Sequence, residues 1–339
     1  MKVLVVTNMW PSATRPHWGA FVRSQADSLA AAGCENTLYE IAGWRSSRAY
    51  WQALLELPDV ARRAGADLVH AHYGLAGAAA ARVPLPLVVS FCGDDLLGRP
   101  EAGGQLSLKS QALIPLSRFA ARRADGVIVK SDEMRRVIAR VPDVEVIPNG
   151  VDLARFAPEP RDVARARLGW QPGGHVLLFA ADPAEERKNW PLAGRTLKIL
   201  SHRGHDVRLE AVHGRPQSDM VCAMNAADVL LLPSFHEGSP NVVKEAMAVN
   251  LPVVATRVGD CAERLRGVRP SAVVDRTPEA FAEAVAAVFA TGARSNGREA
   301  IARTLSLEAV AQRVLRVYDR ALSRHGGSAS PAATPVRVR

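Results

Sequence analysis

The stretch Phe235-His236-Glu237-Gly238-Ser239-Pro240-Asn241-Val242-Val243-Lys244-Glu245-Ala246-Met247 decides how this chain is read. It directly follows Val229 to Leu232, an apolar run with the length and composition of a buried strand. Ser239 is a good N-cap and Pro240 a good first helical residue, so a helix is expected to open there. The free N–H groups and positive dipole end of such a helix suit a phosphate or sugar hydroxyls. Gly238 lets a ligand approach the backbone closely. Glu237 precedes the helix and Glu245 lies between one and two turns inside it, so the two carboxylates could hold different parts of one elongated ligand. A capped helix with two acids is commonplace by itself, and the surrounding chain has to give it meaning.

Working outward, strand and helix signals alternate on both sides. Strands are expected at 2–7, 36–41, 67–71, 85–91, 126–129 and 144–147, then at 175–180, 207–211, 229–232 and 252–255. Helix-length segments separate them, the first from about Gly19 to Ala32. Short Val- and Ile-rich strands in this alternation argue for an α/β fold with parallel sheets buried on both faces. Residues 148–160 carry three prolines and the Asn149-Gly150 turn, which marks them as the linker. The expected organisation is two Rossmann-like domains, 1–155 and 156–306, facing across a cleft. A closing helix over 307–324 and a low-complexity, disordered tail over 325–339 complete it. Ligands of open parallel sheets bind beyond the strand C-terminal ends, so the chemistry belongs in the cleft.

Composition narrows the classes further. With 339 residues, 48% apolar and 23% charged, the chain is neither wholly disordered, fibrous nor a disulfide-stapled miniature. No apolar run approaches the ~18 residues of a membrane span, and the N-terminus reads as a first strand rather than a signal peptide. Cytoplasmic localisation is therefore expected. Cys34, Cys92, Cys222 and Cys261 form no C-x-x-C pair, against a zinc site or disulfide framework. The net charge of +9 fits an anionic ligand, but only six of the 43 basic residues are Lys, and a GC-rich codon bias accounts for so much Arg equally well. There is no P-loop, no G-x-G-x-x-G and no H-E-x-x-H around His236-Glu237, which counts against ATPases, dehydrogenases and zinc hydrolases. His70 and His72 flank Ala71 at a strand end without a third ligand at a useful spacing, so hydrogen bonding is expected of them rather than metal binding.

Glu237 to Met247 resembles the E-x7-E signature of glycosyltransferase family 4, retaining sugar-nucleotide transferases of the GT-B fold. The resemblance runs over nearly the whole chain: Asp67-Leu68-Val69-His70-Ala71-His72, Val146-Ile147-Pro148-Asn149-Gly150-Val151-Asp152 with Phe156 behind it, Asn225-Ala226-Ala227-Asp228-Val229, Pro252-Val253-Val254-Ala255 and Gly259-Asp260 all resemble its segments. It implies that Glu245 binds the nucleotide ribose and that Glu237 contacts the transferred sugar. Backbone around Gly238, Ser239, Pro240, Asn241 and Val242 would hold the sugar and distal phosphate. Lys188 would neutralise the diphosphate leaving group, the electrostatic core of such a transfer. Glu237 and Lys188 are thus the candidate catalytic residues.

Several positions depart from the family pattern. Asp182 stands where many relatives have an Arg, a role Arg187 could take over on the donor side. Cys92, in Ser90-Phe91-Cys92-Gly93-Asp94-Asp95, replaces a His, and only Gly19 stands near the usual Gly-Gly of the first loop. Gly19, Cys92, Asp94 and His72 are the candidates for the acceptor or cleft side, and the loop from Trp10 to Trp18 is expected to meet the acceptor. The resemblance implies a nucleotide diphosphosugar substrate (UDP-, GDP- or ADP-linked), no essential metal or other cofactor, and a glycan, lipid-linked or small-molecule acceptor. Peripheral contact with the inner membrane face is a further expectation. The segment Trp44 to Arg63 carries four Arg, two Trp and one Tyr, with Pro58 expected to break its helix. A sugar-nucleotide epimerase or hydrolase of the same fold, and a non-catalytic nucleotide-sugar sensor, are the rival readings. A nucleic-acid binder lacks aromatics interleaved on a basic run.

Overall fold

A computed structural model describes residues 1–98 and 105–327. Its first sheet is built from β1 (Lys2–Thr7), β2 (Glu35–Glu40), β3 (Leu68–His72), β4 (Leu87–Ser90), β5 (Gly126–Val129) and β6 (Val144–Val146), in the order β2-β1-β3-β4-β5-β6. The second holds β7 (His175–Phe179), β8 (Val207–Ala211), β9 (Val229–Leu232), β10 (Val253–Thr256) and β11 (Ala272–Val274), in the order β11-β10-β9-β7-β8. Every strand pair in both is parallel. The expected strands recur, four with identical ends and the others shifted by one or two residues; β11 is additional, an edge strand of three half-buried residues too short to carry a pattern.

Alternation along the strands explains why both faces are covered. Val3, Val5, Leu68, Val88 and Ile128 point to one side of the first sheet, where Val314, Val317 and Tyr318 of the C-terminal helix meet them. Leu4, Val6, Val69, Val89, Val127 and Val129 point to the other, onto Ala53, Leu57 and Ala61 of the helix Arg48–Ala64. Each fully buried aliphatic side chain contributes about 1.5–3 kcal/mol, so an uncovered face would be costly.

That second contact corrects one expectation. Pro58 does not break its helix, which runs unbroken from Arg48 to Ala64. Ala53, Leu57 and Ala61 recur every four residues on the buried side, and their packing outweighs the one backbone hydrogen bond that proline forfeits.

The linker is pinned on both sides. Val151 donates its N–H to the Leu305 carbonyl and accepts from Leu307 N–H, while Phe156 is buried in the second half's core. From there the helix Leu307–Gly327 returns to the first sheet, three residues longer than the expected closing helix. His325 to Gly327, assigned to the tail from sequence, are helical; the rest of that tail, 328–339, lies outside the described residues. The returning helix is anchored by a buried chain of hydrogen bonds: Tyr318 Oη to His70 Nδ1 at 2.6 Å, and His70 Nε2 to Ser90 Oγ at 2.8 Å. No described helix is long and apolar enough to cross a membrane.

Candidate active site

The signature segment leaves β9 as a loop and becomes helical only at Asn241, so the helix Asn241–Ala248 begins one residue later than expected. Pro240 is the N-cap, with φ −66° and ψ 118°, and Ser239 does not cap at all. Its hydroxyl donates to Asp260 Oδ2 at 2.9 Å and receives Lys244 Nζ at 3.1 Å. A carboxylate from the loop after β10 therefore wins the serine from the helix. Gly259 makes that approach feasible: at φ +52°, a Cβ there would stand 2.5 Å from the Gly238 carbonyl oxygen.

Glu237 is buried and held by three donors. Lys188 Nζ lies 2.7 Å from Oε1, Arg187 Nη1 2.9 Å from Oε2, and Ser234 Oγ 2.9 Å from Oε1. Burial works to raise this carboxyl's pKa, but the two cations and their hydrogen bonds outweigh it and hold the group below its ordinary value. The turn Glu186–Lys188 that carries both cations is fastened to the signature loop by its backbone. Phe235 N–H donates to the Arg187 carbonyl at 2.8 Å, and Asn189, left-handed at φ 57°, donates from its side chain to the Pro233 carbonyl at 3.2 Å. Arg187 also pairs with Glu185 at 2.6 Å. Asp182, by contrast, caps its own turn through Ala184 N–H at 2.9 Å.

A cavity of about 520 Å³ opens between the two halves, with Arg187, Lys188, Asn241 and Glu245 on its wall. Glu245 is half-buried there, and loss of hydration pushes its carboxyl up to about 7, with Lys244 pulling the other way. The opposite wall comes from the first half: Pro16, His17, Ala20, Phe21 and Ser24. Gly19 itself is structural for this wall. It precedes the helix Ala20–Ala31 at φ +73°, and a Cβ would run into the Met9 carbonyl oxygen at 2.3 Å. The end of the loop expected to meet the acceptor thus faces the Glu245 cavity, while the linker joins the halves beside it through Asn149 Nδ2 and Asn241 Oδ1 at 3.2 Å.

Cys92, Asp94 and His72 lie at the other end of the junction. A Cβ on Gly238 would stand 3.2 Å from Gly93 Cα and 3.6 Å from the Cys92 carbonyl oxygen, so the two halves touch here through glycine backbone. Asp94 is exposed; against burial, Glu237 first, then Glu185 and least of all Asp94 favour the charge on Arg187. Cys92 is half-buried with its thiol pKa raised, first by burial and then by Asp95, which makes it a poor nucleophile. His72 is buried, its ring 4.2 Å from that of His70. Asp95, Ser234, Asn149, Lys130 and Lys244 did not stand out as site residues from sequence. Lys130 carries the one visible signal, a charge directly behind the apolar run Val127-Ile128-Val129. No group of three or more His, Cys, Asp or Glu among the described residues could hold a metal ion.

Two parallel α/β sheets about a cleft, with a cation-clamped Glu237 and Glu245 on the second half, have the architecture of the GT-B fold. Residues 2–155 match the Glycosyltransferase Family 4 model and residues 163–291 the Glycosyl transferases group 1 model, and the chain belongs to this family. It is 30% identical to a D-inositol 3-phosphate glycosyltransferase of Kineococcus radiotolerans, over 76% of this chain and 72% of that one. In fold it is similar to sucrose-phosphate synthase of Thermosynechococcus elongatus, with a TM-score of 0.80, 18% identity and 95% and 99% of the two chains covered. HepE of Anabaena, solved in complex with UDP-glucose, superposes with a TM-score of 0.70 at 16% identity, covering 94% of this chain and 99% of that one.

Proposed function

We propose that this glycosyltransferase moves a sugar from a nucleotide diphosphosugar to an acceptor with retention at the anomeric carbon, without a divalent ion. One observation carries the reading: Arg187 and Lys188 stand fixed on Glu237 at the edge of a cavity whose wall also holds Glu245. Two cations side by side are suited to a diphosphate, whose charge grows as the bond from the anomeric carbon to the phosphate oxygen breaks. Glu245 serves as acceptor for ribose hydroxyls, and Glu237 for hydroxyls of the transferred sugar. The acceptor oxygen attacks the face the diphosphate leaves, and the departing phosphate oxygen takes the acceptor's proton, so no protein base is assigned. HepE's complex with UDP-glucose favours UDP as the first nucleotide to try. The name of the Kineococcus relative makes inositol 3-phosphate the first acceptor to try. Calorimetry with UDP and UDP-glucose tests the donor site. Release of UDP that depends on added acceptor separates a transferase from a hydrolase or epimerase, and donor binding without turnover across an acceptor panel marks a sensor. Chelator should leave turnover intact; loss restored by Mg²⁺ or Mn²⁺ overturns the metal-free mechanism.

A peripheral membrane site belongs to the same reading. The helix Arg48–Ala64 presents Trp51 and Leu55 one turn apart, 71% and 73% exposed. Trp44, exposed just before this helix, lies under Arg15 at 3.8 Å and Arg45 at 4.6 Å from its ring. Exposed aromatics among arginines suit an anionic interface. Sedimentation with anionic but not neutral vesicles, lost in high salt and on Arg45 and Arg48 charge reversal, is expected; indifference to both vesicle types refutes it.

A further inference from the structure

At the C-terminal end of β5, beside β4 and one strand removed from β3, Lys130 is buried with 1% exposure, and its Nζ has no hydrogen-bond partner among the described residues. An ammonium taken out of water without a partner is costly, and folding usually avoids it. The buried acid nearby is already spent. Asp95 accepts from Gly93 N–H at 2.8 Å, Gly74 N–H at 2.9 Å and Cys92 N–H at 3.0 Å, which leaves it organising the Cys92-Gly93 turn. His72, 2% exposed at the end of β3 and close enough to feel the charge of Lys130, has an equally unpartnered Nδ1. From the second half comes another buried cation, Lys244, and the two ammonium groups repel each other across the junction where Gly93 meets Gly238. Burial brings both lysines down to about 8, while Cys92 and Asp95 pull Lys130, and Asp260 pulls Lys244, the other way.

The other cations at the cleft, Arg187 and Lys188, already have Glu237 as a counter-charge. Lys130 has Asp95 near enough to favour its charge but no ion pair or hydrogen bond among the described residues, and neither it nor His72 lines the Glu245 cavity. A nucleotide diphosphate satisfied by the second half would therefore leave it unpaired. We propose that Lys130, with His72, is a specificity site for an anionic group, a carboxylate or a phosphate, carried by the substrate at the domain junction. This rests on the glycosyltransferase reading above, and the anion can come from the transferred sugar or from the acceptor. A carboxylate or phosphate oxygen accepts from Nζ of Lys130 and, with the proton on Nδ1, from His72, supplying the hydrogen bonds both lack. Charge-assisted bonds of this kind separate an anionic substrate from its neutral analogue because the neutral one leaves the buried charge unpaired.

The test compares matched probes on the full-length protein by calorimetry: UDP-glucuronate against UDP-glucose for the donor source, and inositol 3-phosphate against inositol for the acceptor source. The anionic probe of one pair is expected to bind about tenfold tighter or better. That preference should vanish in Lys130→Met and persist in Lys130→Arg, while affinity for UDP alone is unchanged in both. The pair showing it names the source. Equal binding within both pairs by the unaltered protein overturns the proposal, and needs no variant to fold. A preference that survives Lys130→Met in a protein with an unchanged melting curve overturns it too. Failure to bind UDP at all would refute the donor reading instead, and the inositol pair would then decide the Lys130 proposal alone.

Discussion

The two faces of the cleft differ in whether their charged side chains are ion-paired. On the second half, Glu237 is matched by Lys188 and Arg187, Arg187 also by Glu185, and Asp260 by Ser239 and Arg264, although Asp260 Oδ1 and His236 Nε2 stay without a hydrogen bond. On the first half, His72 and Lys130 are buried with polar atoms unmet, and the one acid among them is committed to backbone amides. A charge-balanced face is rigid before substrate arrives, which suits the chemical step common to a whole family of transferases. A face with unmet groups is completed by whatever binds it, which suits selection of a particular substrate.

The largest effect that could break this contrast is at Lys188. Lys188→Ala removes one of two cations poised for the leaving diphosphate, and kcat should fall about 100-fold, the scale seen when one preorganised charge stabiliser is lost. Glu237 keeps Arg187 and Ser234, so the loop should stay in place and donor affinity should change less than kcat. Steady-state kinetics with a saturating donor decide it. A variant with full kcat would reduce Lys188 to a structural partner of Glu237, and the second face would no longer be the chemical one.

Next in size is Glu245. Glu245→Ala should weaken UDP binding by about 1.5–3 kcal/mol, the worth of hydrogen bonds to a charged acceptor. Its carboxyl, pushed up to about 7, adds a pH signature. The ionised acceptor is present in the free protein only above that value, so UDP affinity should fall as pH drops through 7, and Glu245→Gln should flatten the dependence. Stability runs the other way. A folded-state pKa above the ordinary carboxylate value means the folded protein binds the extra proton, so this group's contribution declines from about pH 4.5 to about pH 7 and is level beyond. Calorimetry and denaturation across pH 5 to 8 read the two slopes separately. Parallel slopes would place Glu245 outside the ligand site.

The same contrast explains what could be read from the sequence. β1, β5 and β9 matched their expected ranges residue for residue, because a strand buried on both faces writes itself as an apolar run between breakers; β8, a half-buried edge strand, matched through the alternation Val207-Arg208-Leu209-Glu210-Ala211. The E-x7-E segment was legible for a similar reason: its partners Arg187 and Lys188 belong to a second compact motif. Errors arose where a distant residue decided a local outcome. Ser239 followed by Pro240 satisfies the rules for a helix start, and only Asp260, twenty-one residues on and carried by another strand, reassigns the hydroxyl. Pro58 satisfies the rules for a break, and only the sheet beneath it keeps the helix whole. Lys130 reads as an ordinary charge at a strand end until β3, β4 and the opposite half close around it.

His70 and His72 make the smallest and sharpest version of the comparison. They stack at the end of one strand, yet His70 has a partner at both ring nitrogens and His72 lacks one at Nδ1. What separates them is Tyr318, delivered by the helix that returns from the second half. Burial, and next the charge of Lys130, bring His70 down to about 3, so its ring is neutral across the working range and its hydrogen bonds hold without a titration. Tyr318→Phe keeps the packing and deletes one hydroxyl, leaving a second unmet imidazole nitrogen. The expected cost is about 1–2 kcal/mol of stability, with the loss independent of pH between 5 and 8 and with UDP affinity unchanged. Denaturant unfolding of the variant beside the unaltered protein measures it. No loss would mean that water replaces the hydroxyl at His70, and then the closing helix is held to the first sheet by its apolar face and by contacts such as Arg313 with the Val146 carbonyl, rather than by the bond that distinguishes the two histidines.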